Sequence, residues 1–117
     1  MRRDALPAIG PDWEASEQYR TTAGAAWGLV IAAAALDVAT TWAGLAVGLP
    51  ESNPVAAAAI TAAGTTPALV GLKLAALSVV AAGWRATPPP GRLAVPASVG
   101  LLWFAAGLSN LVVLALD

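Results

Sequence analysis

Polar residues in this chain occupy one terminal stretch, three short breaks and a few isolated points. The apolar runs between them set the architecture. Residues 1–22 form a polar tail, and an apolar run follows over 23–48. Two more runs cover 67–84 and 92–116. About 20 apolar residues suffice to cross a bilayer core as a helix, so each run reads as a transmembrane span. A fourth apolar stretch, 54–63, has only ten residues. At ~1.5 Å per residue it covers about 15 Å, half of a bilayer core.

The punctuation between these runs is specific. Gly48-Leu-Pro-Glu51-Ser-Asn53-Pro54 reads as a turn, with Asn53 as N-cap and Pro54 at the first helical position. Gly64-Thr65-Thr66-Pro67 ends the short helix and starts the next, with Thr66 as its expected N-cap and Pro67 at N1. Ala86-Thr-Pro-Pro-Pro-Gly91 reads as a loop stiffened toward polyproline II. Within the tail, Glu14 to Arg20 reads as a short interfacial helix with Trp13 and Tyr19 at headgroup level.

The expected fold is therefore an all-α polytopic membrane bundle of three transmembrane helices and one half-helix, in a single domain over 23–117. The half-helix is either re-entrant or interfacial. Arg2, Arg3 and Arg20 precede the first span, and Arg85 and Arg92 flank the proline loop. Basic loop residues stay on the cytoplasmic side. Three spans in the cell membrane, N-terminus inside and C-terminus outside, put all five arginines inside; a fourth full span would break that agreement. The tail after Met1-Arg2-Arg3 lacks an apolar core, so no cleaved signal peptide is expected.

Composition supports the bilayer as partner. Of 117 residues, 58% are apolar and 11% charged, against ~25% charged in soluble domains. The net charge of -1 and the absence of a basic patch give no reason to expect a nucleic-acid partner. There is no cysteine and no histidine. Disulfides, thiolate or imidazole metal sites, haem ligation and Ser-His triads are excluded, and no cofactor or metal is expected. Any catalysis would rest on Asp, Glu, Lys, Ser, Thr or Tyr.

The isolated polar points inside the runs are Asp37, Lys73 (the only lysine) and Asn110. A charge at the bilayer centre costs about 2.5–3.5 kcal/mol on insertion scales, so Asp37 and Lys73 are natural partners. At 1.5 Å per residue, Asp37 lies ~16 Å, Lys73 ~9 Å and Asn110 ~10 Å from the outer end of its span. Thr40 and Thr41 adjoin Asp37, and Glu51 and Asn53 cap the same side. All seven residues thus belong to the outer half. Two readings stay open. One is a structural staple that fixes helix register; the other is a small site for an ion, proton or polar ligand.

Gly24-x-x-x-Gly28 and Gly44-x-x-x-Gly48 match the small-residue spacing that lets helices approach closely. Trp27, Trp42, Trp84 and Trp103 read as interfacial anchors or bundle filler, Trp84 beside Arg85 being the clearest belt residue. Ser109 beside Asn110 reads as an interhelical hydrogen-bonding residue and not as a catalytic serine.

The order Asp37-x-x-Thr40-Thr41, Gly48-x-x-Glu51-x-Asn53-Pro54 and then Lys73 resembles the signature of a family of short prokaryotic membrane proteins of unknown function. The resemblance covers about residues 25–115. It implies that Asp37, Thr41, Glu51, Asn53, Pro54 and Lys73 act as a unit, and it implies no activity.

Three functions compete. The first is a non-enzymatic membrane component, either a homo-oligomer or an accessory subunit of a complex, with no catalytic residue. The second is an ion- or proton-binding or transport protein using Asp37, Glu51 and Lys73. The third is an intramembrane enzyme with Lys73 as general base or Glu51 and Asp37 as an acid–base pair.

Overall fold

The computed structural model describes residues 16–117. Ser16 opens the first helix: its hydroxyl accepts from the Tyr19 N–H at 3.0 Å, and Glu17 sits where the helix dipole favours an acid. Helix α1 then runs unbroken over Glu17–Ala46. It starts six residues before the apolar run, because nothing between Ser16 and Ala23 breaks a helix. Trp13 and Glu14 of the expected interfacial helix lie outside the described residues. Residues 17–20 are simply the first turn of α1.

Helix α1 stops at a glycine. Gly48 adopts φ +94°, a conformation that favours a residue without Cβ. Its N–H donates to Leu45 O at 3.1 Å, and the Leu49 N–H reaches back to Gly44 O at 2.9 Å. Leu49 packs over Gly44, whose added Cβ would meet Leu49 Cδ1 at 3.5 Å. Gly44-x-x-x-Gly48 is thus a helix stop.

Helix α2 spans Pro54–Ala63 with the expected cap: Asn53 Oδ1 accepts from Val55 N (2.9 Å) and Ala56 N (3.4 Å). Helix α3 covers Thr65–Ala86. A single residue separates the two. Gly64, at φ 93° and ψ 163°, reverses the chain in one step, a conformation essentially restricted to glycine. Thr66 is therefore not a cap, since the helix has already restarted at Thr65 and no side chain caps it. Among the described helices, α2 packs on α3 alone.

After α3, the proline loop turns instead of extending. Pro90 has φ −84° and ψ −5°, far from polyproline II. Thr87 Oγ1 donates to Gly83 O at 2.8 Å, and Arg92 Nε donates to Thr87 O at 3.0 Å. A 3-10 turn, Gly91–Leu93, leads into helix α4, Ala94–Leu116.

The architecture is an all-α bundle, with no strand among the described residues. Three helices are long and apolar enough to cross a membrane: Glu17–Ala46, Thr65–Ala86 and Gly91–Leu116. α2 is too short. Because α1 has 30 residues, it is about 45 Å long and exceeds a ~30 Å bilayer core.

α1 and α4 form the main seam and run parallel: Gly100 meets Leu29 and Val30, Gly107 meets Leu36, and Asn110 meets Thr40. The buried or half-buried face of α1 is Ala26, Val30, Ala33, Asp37, Thr40 and Gly44; that of α4 is Pro96, Gly100, Trp103, Gly107, Asn110 and Leu114. Both step by alternating three and four residues, the heptad spacing of a coiled-coil seam. α3 runs antiparallel beside them, with Trp84 against Trp27 near one end and Lys73 against Asp37 toward the other.

Candidate functional site

Asp37 sits on the α1 face that meets α4, and Lys73 projects from α3. Lys73 Nζ donates to Asp37 Oδ2 at 2.6 Å. The side chains retain only 17% and 19% of their accessible surface, so neither charge has much other solvation. The second carboxylate oxygen, Oδ1, accepts from Asn110 Nδ2 of α4 at 3.2 Å. The same nitrogen donates to Thr40 Oγ1 at 2.9 Å and Thr41 Oγ1 at 3.2 Å. With two hydrogens for three acceptors, at least one bond is shared.

Chemistry fixes the Asn110 amide orientation. A carboxylate only accepts. The Thr40 hydroxyl hydrogen already goes to Leu36 O at 2.9 Å, with Asp37 O at 3.2 Å. Asp37 and Thr40 therefore both need a donor, and Asn110 must turn its nitrogen to them. Lys73 has a further neighbour, since its Nζ lies 4.2 Å from the centroid of the Trp103 ring on α4. A ring face attracts a cation, most strongly where water is scarce. The three long helices thus meet at one polar node.

Five of the seven expected residues converge there: Asp37, Thr40, Thr41, Lys73 and Asn110. Glu51 and Asn53 take no part in the node. Glu51 Oε1 accepts from the Asn53 N–H at 2.9 Å, and Asn53 caps α2, so this pair builds the turn. Glu51 does return to the neighbourhood, because a cavity of about 360 Å³ opens beyond Thr41 and Asn110. Thr41 and Leu45 of α1, Glu51 of the turn, and Ser109, Asn110 and Leu114 of α4 line it. Glu51 and Asn110 both line this cavity, and among the described residues no hydrogen bond engages Asn110 Oδ1 or Glu51 Oε2.

Within the chain, the close approach of helices does not fall at Gly24, Gly28, Gly44 or Gly48. A Cβ on Gly24 or Gly28 would meet nothing within 4 Å. Gly44 and Gly48 serve the helix stop. Close approach occurs at Gly100 and Gly107 instead. A Cβ there would lie 2.9 Å from Leu29 Cγ and 2.7 Å from Leu36 Cγ, respectively. Trp103, Gly100 and Gly107 were missed as site residues, although their heptad spacing with Asn110 puts all four on one helix face. Trp84 is half-buried against Trp27 at 5.6 Å, with Arg92 5.2 Å from its ring, so it packs within the bundle as well as bordering Arg85.

Among the described residues, no three His, Cys, Asp or Glu side chains come together as a metal donor set. No protein-family model, curated protein or solved structure matches the chain.

Proposed function

We propose that this chain is a small non-enzymatic component of the cell membrane, working as a homo-oligomer or as a subunit of a larger membrane assembly. The polar node is its internal lock. The observation that carries this reading is the self-sufficiency of the node. Both Asp37 oxygens are engaged within the chain, and Lys73 is held by Asp37 and Trp103. An ion site using Asp37 would have to evict Lys73. A general base at Lys73 would have to break its contact with Asp37. Transport and intramembrane catalysis through these residues fit the geometry less well than a lock does.

The assembly part rests on how little the bundle encloses. Among the described residues, Val30 and Pro96 are the largest fully buried side chains, whereas Leu101, Leu102, Val112 and Leu116 of α4 are exposed. Three helices cannot surround a pathway. A role beyond occupying the bilayer therefore requires neighbours on these faces. Arg20, Arg85 and Arg92 gather at the end where α1 begins and α3 ends, and Glu51 lies at the other. This supports an N-terminus inside and a C-terminus outside. The signature residues divide into two linked units, Asp37-Thr40-Thr41-Lys73 in the node and Gly48-Glu51-Asn53-Pro54 in the turn.

A double-mutant cycle tests the lock. Asp37→Asn and Lys73→Met should each lower stability in detergent, by up to ~3–5 kcal/mol where a buried charge is orphaned. The double variant should recover most of the loss. Three variants as stable as the parent would overturn the lock. Crosslinking in native membranes and native mass spectrometry test the assembly, and a strictly monomeric chain with no copurifying partner would overturn that part.

A further inference from the structure

We propose that the vestibule beside the node binds an organic ammonium group, a function separate from the lock and independent of the chain's oligomeric state. The polar side chains that line it are rich in oxygen acceptors. Glu51 contributes the one formal charge, and Thr41, Ser52 and Ser109 contribute hydroxyls. Asn110 also lines it, and because its nitrogen is committed to Asp37, Thr40 and Thr41, its carbonyl oxygen is the group left to accept. Among the described residues, no basic side chain lines the cavity. Lys73 lies behind it, paired with Asp37, so the node contributes no net charge.

Two further features favour a cation. The parallel helices α1 and α4 end beside this cavity, with Leu45 in the last turn of one and Leu114 in the last turn of the other. Helix C-termini carry partial negative charge, which a cation complements. The Glu51 carboxylate is also preorganised: the Asn53 N–H holds Oε1 at 2.9 Å and leaves Oε2 for a ligand.

Volume and wall chemistry select the class of cation. About 360 Å³ is roughly ten times the ~30 Å³ share of one water, and it falls in the size range of small-molecule sites. A bare inorganic ion would leave most of it to water and would find only one carboxylate. Leu45, Leu49, Val113 and Leu114 supply apolar walls for an alkyl portion. An alkylammonium fits both parts. It can come from a free small amine or from the ammonium of a phospholipid headgroup, because the two present the same chemistry.

The test titrates the full chain in detergent with n-butylammonium chloride by isothermal calorimetry. n-Butanol and sodium chloride are the matched probes. Saturable binding of butylammonium is expected, with none for the other two. Glu51→Gln keeps an oxygen for the Asn53 N–H but removes the charge, and it should weaken binding roughly tenfold or more. Leu114→Trp narrows the cavity without replacing any polar side chain and should abolish binding while the chain still melts cooperatively. Absent butylammonium binding, equal binding of butanol, or an unchanged affinity in Glu51→Gln would overturn the proposal. Repeating the titration in nanodiscs separates the sources. Weaker apparent binding with phosphatidylethanolamine present than in phosphatidylglycerol alone assigns the site to the lipid headgroup; equal binding assigns it to a free amine.

Discussion

Replacing Gly100 and Gly107 by alanine should separate α1 from α4, and the structure sets the size of the effect. Carbon atoms pack at about 3.5–4.0 Å. A Cβ on Gly107 would sit 2.7 Å from both Cγ and Cδ2 of Leu36, an overlap of about 1 Å with the root of that side chain. At Gly100 the added carbon would meet Leu29 Cγ at 2.9 Å and the Val30 backbone nitrogen at 3.1 Å. A backbone atom cannot swing aside, so the helix itself must move. Overpacking of this kind costs about 1–3 kcal/mol per site. The displacement should also reach the node, because Asn110 lies one turn beyond Gly107 and its bond to Asp37 is already 3.2 Å long. Gly24 and Gly28 are the internal controls. Nothing lies within 4 Å of a Cβ there, and alanine is the better helix former by up to ~1 kcal/mol. Thermal unfolding of Gly100→Ala, Gly107→Ala and Gly24→Ala/Gly28→Ala in one detergent gives the comparison. The reasoning fails if the first two match the parent, or if the double control is the destabilised one.

The turns offer two further tests. Asn53→Ala removes the acceptor for two N–H groups at the start of α2 and should cost about 1 kcal/mol, read as faster amide exchange in that helix, whereas Asn53→Asp should retain protection. Gly64→Ala must hold φ near +93° with a side chain, at a cost of about 1–3 kcal/mol, and should lower the melting temperature without reducing helical content in α1 or α4.

Helix number and the central pairing were legible because they rest on strong constraints. Long apolar runs have few alternatives to spanning helices. A lone lysine and a lone aspartate in adjacent runs have few alternatives to each other. The Asn53-Pro54 start was legible for the same reason, since the cap and the proline act locally. What escaped was the identity of the seam. Gly44-x-x-x-Gly48 satisfies a packing motif, yet its second glycine stops a helix, and spacing alone cannot separate the two uses. The seam instead carries Gly100 and Gly107 at a seven-residue interval, with Trp103 and Asn110 filling the alternate steps. That heptad was hidden by the many other small residues of α4. Thr66-Pro67 looked like a cap because Gly64 can reverse the chain in one residue, a freedom that sequence leaves undetermined. α1 begins at Glu17, ahead of the apolar run, because apolarity marks the bilayer and not the helix.

The three long helices are held by two different kinds of force, and this explains why the charges lie where they do. α1 and α4 meet along most of their length through small side chains, so close packing suffices for them. α3 meets the pair more sparsely. A groove of about 350 Å³ runs between them, lined by Ile31, Ala35 and Val38 of α1 and by Val70, Leu74 and Leu77 of α3. α3 is secured mainly at two points. Trp84 packs on Trp27 and under Arg92 near one end, and Lys73 reaches Asp37 and Trp103 toward the other. These points are eleven residues apart, or about 16 Å along the helix. A long side chain can bridge a gap that short apolar ones cannot close. A charged one gains orientation as well, because only one position on α1 answers it. The lysine is therefore on the loosely packed helix, and its partners, the Asp37 carboxylate and the Trp103 ring, are on the two helices that already fit.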